Sequence, residues 1–226
     1  MSAEPIVTRA PRSVVFDLDG LMIDTEPIFE ETAIRLLRRR GQSAAPEILQ
    51  AMMGTPARQA LEIFRQHHRL HESVEKLAAE CSQLFFEVLD GRNAPLMIGL
   101  GELLEQIEAR GLTKAIATSS SARYVERILA PHHILHRFAF VLTCDDVRLG
   151  KPSPEIYEKA AARLGHPAAE MVVLEDSPNG LRAAKAAGAR CVVVPHARVP
   201  LDNLGGADAI VPGLNAPELL DLLGLR

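Results

Sequence analysis

Apolar residues follow two rhythms along this chain. A short run at 13–16, Ser-Val-Val-Phe, reads as a buried strand. Beyond it, from 25 to 93, apolar positions recur three and four apart. Residues 27–40 gather Ile28, Phe29, Ala33, Ile34, Leu36 and Leu37 on one face. Pro46 opens a second helix that ends near Met53-Gly54, and residues 57–68 and 73–89 keep the same spacing.

From Gly99 onward, helix and strand patterns alternate. Residues 102–109 predict a helix stopped by Gly111, 114–117 a short buried strand, 122–129 a helix before Pro131, and 138–142 a strand. Ser153-Pro154 carries the signature of an N-cap serine followed by a first-turn proline, and Ser177-Pro178 repeats it before a helix stopped by Gly188. Runs at 171–174 and 191–194 predict two more strands, with 209–211 a sixth.

Strands alternating with helices imply an α/β fold: a Rossmann-like parallel sheet core with helices on both faces. The all-helical block falls between the first strand and the rest, so it is read as an insertion. The expected division is a core of residues 1–24 plus 94–226 and a helical unit of 25–93.

Composition narrows the function classes. With 47% hydrophobic and 24% charged residues, the chain has the makings of a packed core. A net charge of −4 argues against nucleic-acid or anionic-membrane partners. The basic run Arg38-Arg39-Arg40 ends a helical pattern, where cations suit the helix dipole. Residues 1–12 lack the apolar stretch of a signal peptide, and no segment approaches the roughly 20 apolar residues of a membrane helix. Cys81, Cys144 and Cys191 are too scattered for a disulfide framework or a zinc site, which suits a cytoplasmic protein.

The candidate chemistry collects at strand ends. Asp17 and Asp19 follow the first strand, separated by Leu18 and closed by Gly20, which permits a sharp turn. Thr118-Ser119-Ser120-Ser121 follows the second, Lys151 precedes the Ser153 helix start, and Glu175-Asp176 follows Val172-Val173-Leu174. Ligands of open α/β sheets bind beyond such strand ends. Asp17, Asp19, Glu175 and Asp176 gathered there would repel one another unless a cation intervened. Oxygen ligands without nearby His or Cys favour Mg²⁺ over zinc. A lysine and a hydroxyl-rich helix start complete equipment suited to phosphoryl transfer.

Taken singly, each residue has a structural explanation: Asp17 or Asp19 as a cap, Thr118 and Ser119 as caps, Lys151 as a surface lysine, Glu175-Asp176 as loop charge. Their joint placement is what argues for a site. Weaker features are read structurally. Gly99-Leu-Gly101 lacks the third glycine of a dinucleotide loop and leads into a helix. The pairs His67/His71 and His132/His136 have metal spacing but no third ligand and are assigned to solvated helix faces. Asp145-Asp146 are assigned to loop capping, and Cys144 to a buried thiol.

In order along the chain stand Phe-Asp-Leu-Asp-Gly (16–20) with Asp24-Thr25-Glu26-Pro27 behind it, Ala-Ile-Ala-Thr-Ser-Ser (115–120), Gly-Lys-Pro-Ser-Pro-Glu-Ile-Tyr (150–157) and Leu-Glu-Asp-Ser-Pro-Asn-Gly (174–180). In these motifs the chain resembles the haloacid dehalogenase superfamily, in its β-phosphoglucomutase-like branch, from about Val14 to Val211. The resemblance implies a phosphoryl-accepting Asp17, a proton-transferring Asp19, and a phosphate held by Thr118 and the Ser119 amide. It implies that Lys151 orients Asp17, and that Mg²⁺ is held by Asp17, the Asp19 carbonyl and Asp176, with Glu175 bound directly or through water. It makes the helical unit a cap over the substrate.

Asp19 favours phosphate esters over carbon–halogen bonds, because the dehalogenases of this superfamily lack it. The mutase pattern has a histidine where this chain has Phe29, and an arginine where it has Ala57, with Arg58 one step on. The expected activity is therefore hydrolysis of a small phosphorylated metabolite, a sugar phosphate or nucleoside monophosphate. Phosphomutase activity and a non-catalytic phosphate-binding role are the alternatives. A site made within one chain permits a monomer.

Overall fold

The computed structural model describes residues 10–43, 48, 57–195 and 201–226. Six parallel strands form one sheet in the order β3-β2-β1-β4-β5-β6: β1 (Ser13–Phe16), β2 (Thr113–Ala117), β3 (Val141–Leu142), β4 (Met171–Glu175), β5 (Arg190–Val193) and β6 (Ala209–Ile210). The helices are α1 (Glu26–Arg38), α2 (Ala57–His67), α3 (Val74–Gly91), α4 (Leu100–Ala109), α5 (Ala122–Leu129), α6 (Glu155–Leu164), α7 (Pro178–Ala186) and α8 (Pro217–Leu222). The helix expected from Pro46 to Met53-Gly54 lies outside the described residues, apart from Ile48.

Period-two alternation sorts the strand residues onto two buried faces. Val14, Phe16, Ile116, Val172 and Leu174 pack with Leu103, Ile107, Ile128 and Leu219 on one side. Val15, Ala115, Ala117, Val173 and Cys191 pack with Tyr157, Ala160, Leu181 and Ala184 on the other. Both faces are covered, as a parallel sheet requires. The order reverses direction between β1 and β4, and ligands of such sheets bind outside the strand ends at that point.

The chain leaves the sheet after Met22-Ile23-Asp24 and returns through Pro95-Leu96-Met97, and the two passes are hydrogen-bonded side by side. Asp24 N donates to Pro95 O at 2.9 Å and Met97 N to Met22 O at 2.9 Å. Between them, α1, α2 and α3 share a small core of their own, with Leu36, Leu37, Phe64, Leu77 and Leu84 at its centre. Ile28, Phe85, Val88 and Leu89 join the same block to the main core.

Three local expectations need correction. The third strand is shorter than 138–142. Phe138 ends a one-turn helix and only Val141–Leu142 forms a strand, because this edge segment has one neighbour to pair with. The start expected at Ser153 falls one residue later, with Pro154 at the N-cap and α6 beginning at Glu155, while the Ser153 hydroxyl still accepts from the Glu155 amide at 3.4 Å. The Glu155 carboxylate folds back to accept from the amides of Arg148 and Leu149 at 3.0–3.1 Å, so the start is closed from the preceding loop. Cys144 is exposed rather than buried, on a one-turn helix at the surface.

Candidate active site

Each strand end delivers its side chain for a local reason. β1 stops at Phe16, and the Asp17 amide still donates to Leu174 O of β4 at 3.0 Å. The chain then turns tightly: Gly20 sits at φ +77° and donates to Ile23 O at 2.9 Å. A side chain there would be strained in this backbone region, and a Cβ would stand 2.3 Å from Asp176 Oδ2. Glycine thus serves both the turn and the approach of Asp176. α7 makes a similar allowance with Gly180, whose Cβ would fall 1.8 Å from Glu175 Oε1.

The structure brings Asp17, Glu175 and Asp176 together, with one carboxylate oxygen of each within 4.8 Å of the others. Lys151 reaches the same point from the loop before α6. Its ammonium donates to Asp17 Oδ1 at 2.5 Å, Glu175 Oε1 at 2.6 Å and Ala117 O at 2.9 Å, and it lies 5.0 Å from the centre of the Tyr157 ring. Glu175 is fully buried, and its oxygens accept from Lys151, the Tyr157 hydroxyl at 2.5 Å and the Ser177 hydroxyl at 3.1 Å. A carboxylate removed from water is tolerated only with such a set of partners.

The two aspartates after β1 meet different surroundings. Burial pushes the Asp17 carboxyl up to about 7, Lys151 pulls it down, and the Glu175 charge adds to the rise. Asp19 is also raised by burial, but its restraining partners are the hydroxyls of Tyr124, Ser120 and Thr25. Asp176 is held well above the usual carboxylate range by burial and by the charges of Asp17 and Glu175. For Lys151, burial works against the charge, yet Asp17 and Glu175 outweigh it and raise the ammonium's pKa. One buried lysine does not balance this many carboxylates. The unbalanced point lies among hard oxygen donors, which fit a divalent cation.

Thr118 is buried at the end of β2, and its Oγ1 accepts from the Ser120 amide at 3.1 Å; Ser119 is exposed. Together with Asp17, Asp19, Lys151 and Asp176 they line a cavity of about 840 Å³. Its opposite wall comes from the helical block, including Phe29, Leu36, Phe64 and Phe85.

Several neighbours carried no role in the sequence reading. Tyr124 and Ser120 hold Asp19, and Tyr157 and Ser177 hold Glu175. Tyr157 stands in the Lys151 motif and Thr25 behind the Asp19 turn, so proximity in sequence could have marked them. Tyr124 has no such signal beyond being the one aromatic residue of α5.

The weaker features separate from the site. Asp146 closes a capping box with Thr143, and Asp145 Oδ2 accepts from the Ala122 amide at 2.9 Å. Neither histidine pair shares a helix face. His71 follows the end of α2, while His132 and His136 lie in two separate one-turn segments. Arg39 and Arg40 are paired with Glu80, Glu87 and Glu72 of the helical block. No described helix is long and apolar enough to cross a membrane.

Comparison with known proteins adds a family. Residues 14–194 match the model of the haloacid dehalogenase-like hydrolases. A probable pseudouridine-5′-phosphatase from Drosophila melanogaster is 34% identical over 214 residues, covering 92% of each chain. A phosphorylated carbohydrates phosphatase from Thermotoga maritima is 32% identical over 180 residues, covering 78% of this chain and 81% of its own. Among solved structures, a putative β-phosphoglucomutase from Thermotoga maritima superimposes with a TM-score of 0.77 at 29% identity, over 94% of this chain and 98% of its own.

Proposed function

Since the chain belongs to the haloacid dehalogenase-like hydrolases and is a phosphoric monoester hydrolase, we propose that it is a Mg²⁺-dependent phosphatase of a small phosphorylated metabolite, working through an aspartyl-phosphate on Asp17. The observation that carries this reading is the contact of Lys151 with both Asp17 and Glu175 at the floor of a cavity that Asp176 also lines. A phosphate dianion approaches a carboxylate only where positive charge offsets their repulsion.

In this reading Asp17 Oδ attacks phosphorus and the ester P–O bond breaks. Its electron pair goes to the leaving oxygen, which takes the proton carried by Asp19, and the alcohol departs. Water then attacks the phosphorus of the acyl-phosphate, giving its proton to Asp19 as the Asp17–phosphorus bond breaks. Inorganic phosphate and both starting side chains are restored. Lys151 holds Asp17 in place and offsets its charge. Thr118 and the Ser119 amide hold the phosphate oxygens. Asp17, Asp176, Glu175 and the Asp19 carbonyl are the groups that would hold Mg²⁺, which supplies Lewis-acid charge stabilisation of the phosphoryl oxygens.

The helical unit, residues 25–93, acts as the cap. Its own small core and its share of the cavity wall support that role. Water rather than a sugar hydroxyl is the acceptor. Phe29, 48% exposed and lining the cavity, stands where the mutase pattern has a histidine, and Arg58 is bridged to Glu75 at 2.7 Å.

The substrate belongs to the sugar phosphates or nucleoside monophosphates, in line with the similar phosphatases above. A phosphate-release screen over a panel of both classes tests the reading. Turnover is expected with Mg²⁺, and none above background with chelator. Asp17→Asn is expected to lose at least about 10³-fold in kcat, since the nucleophile itself is gone. Release by Asp17→Asn at the parent rate would overturn the mechanism.

A further inference from the structure

Tyr124 takes no part in the steps above, yet it touches the group that moves the proton. Its hydroxyl donates to Asp19 Oδ1, and Ser120 Oγ donates to Asp19 Oδ2 at 2.8 Å. Each carboxylate oxygen has two lone pairs. A donor on each oxygen fixes the rotation of the carboxyl, and even with the Thr25 hydroxyl as a third partner a lone pair is left for proton exchange with substrate or water.

Tyr124 is itself fixed from two directions. It lies in the first turn of α5, where the Ser121 N-cap accepts from its amide at 3.4 Å. Its ring packs against two aromatic residues of α3, with centroids 5.2 Å from Phe85 and 6.3 Å from Phe86. Phe86 is held in turn by the Arg127 guanidinium, 4.4 Å from its ring centre. Phe85 also packs on Phe29, 4.8 Å away in the cavity wall. A continuous aromatic contact thus runs from the helical block to the carboxyl of Asp19.

We propose that Tyr124 is a positioning residue: its hydroxyl sets the orientation of the Asp19 carboxyl, and the Phe85–Phe86 face of α3 sets where that hydroxyl stands. This rests on the reading of Asp19 as the proton-transferring group. Orientation of that group matters in proportion to how much the leaving oxygen needs its proton. An alkoxide cannot depart without one, whereas a nitrophenolate departs readily. A purely structural role for Tyr124 would slow both alike.

The test compares the sugar phosphate or nucleoside 5′-monophosphate that the parent turns over fastest, an alkyl ester, with 4-nitrophenyl phosphate, in the parent enzyme, in Tyr124→Phe and in Phe86→Leu. Tyr124→Phe keeps the ring and removes only the hydroxyl. It is expected to lose about 10- to 100-fold in kcat/KM on the alkyl ester and less than about 3-fold on the aryl ester. Phe86→Leu, at a half-buried position, keeps the hydroxyl and loosens its support. The same selective loss is expected at smaller size, and it decides the question should the first variant fold poorly. Equal losses on the two esters, or none on either, would overturn the proposal. A parent enzyme that releases no phosphate from any ester overturns the phosphatase reading itself, and the proposal with it. An active parent with unselective variants overturns the proposal alone.

Discussion

The floor and the roof of the cavity are built on opposite chemistry. The floor is made where β1, β2 and β4 end, and nearly every side chain there is ionic or hydroxylic: Asp17, Asp19, Thr118, Lys151, Asp176. The roof is made by α1, α2 and α3, and much of its lining is apolar: Phe29, Ala33, Leu36, Phe64, Phe85. The floor is braced: adjacent strands share backbone hydrogen bonds, Lys151 ties Asp17 to Glu175, and Tyr124 and Ser120 hold Asp19. The roof rests on a smaller core that meets the sheet mainly through the bases of α1 and α3. The contrast teaches a division of labour: the floor suits a group common to all phosphate esters, and the roof suits whatever differs among them.

The comparison breaks most visibly at the floor. Gly20→Ala places a methyl 2.3 Å from Asp176 Oδ2 and forces an L-residue to φ +77°. The backbone alone costs about 1–2 kcal/mol, and displacement of Asp176 adds to it. The expected result is a fall in kcat of about 10²-fold or more on every ester of the panel, with the ranking of esters unchanged. Phe29→Ala is the counterpart at the roof. This ring is half exposed and packs on Phe85, one contact further from Asp19 than the rings that support Tyr124 directly, so the main effect should be a rise in KM of about 3- to 10-fold, by an amount that depends on the ester, with kcat changed less than in Phe86→Leu. Steady-state kinetics on the same panel reads both. A Gly20 variant that reorders substrates, beside a Phe29 variant that slows them all alike, would invert the assignment of floor and roof.

The same division explains what could be read from the chain beforehand. The floor was legible because its residues sit at the ends of apolar runs, and the sheet alone brings such ends together. Asp17, Thr118 and Glu175 need only β1, β2 and β4 to be neighbours. The partners that hold these groups were not legible as partners. Tyr124 reaches Asp19 from the first turn of a helix, and Tyr157 reaches Glu175 from another. Those meetings depend on how helices dock, which periodicity does not specify. The roof was legible as helices but not as a surface, because many helical faces are apolar whether they meet a core or a substrate. The boundaries that slipped have local causes: Phe138 closes a one-turn helix before the edge strand, and after Ser153 the Glu155 carboxylate closes the helix start from the preceding loop.

The opposite end of the sheet supplies the smallest effect and a control on the comparison. Glu108, at the end of α4, accepts from Arg137 at 2.8–2.9 Å and pairs with Lys114 of β2 at 2.7 Å. Arg137 and then Lys114 hold its carboxyl down to about 2, against an ordinary value of 4.5. A carboxyl depressed on folding contributes stability above its unfolded value and loses it as pH falls through the folded one, so the window runs from about 4.5 down to about 2. The side chain is 40% exposed, and solvent screening reduces the contribution to roughly 1 kcal/mol or less. Glu108→Gln should therefore melt a few degrees lower than the parent at pH 7, and the gap should close on acidification through that window. Its kcat and KM should match the parent on every ester, because this cluster sits at the strand starts and the site sits at the strand ends. A kinetic change in Glu108→Gln would mean that the two ends of the sheet are coupled, and the floor could no longer be treated as set by its own contacts.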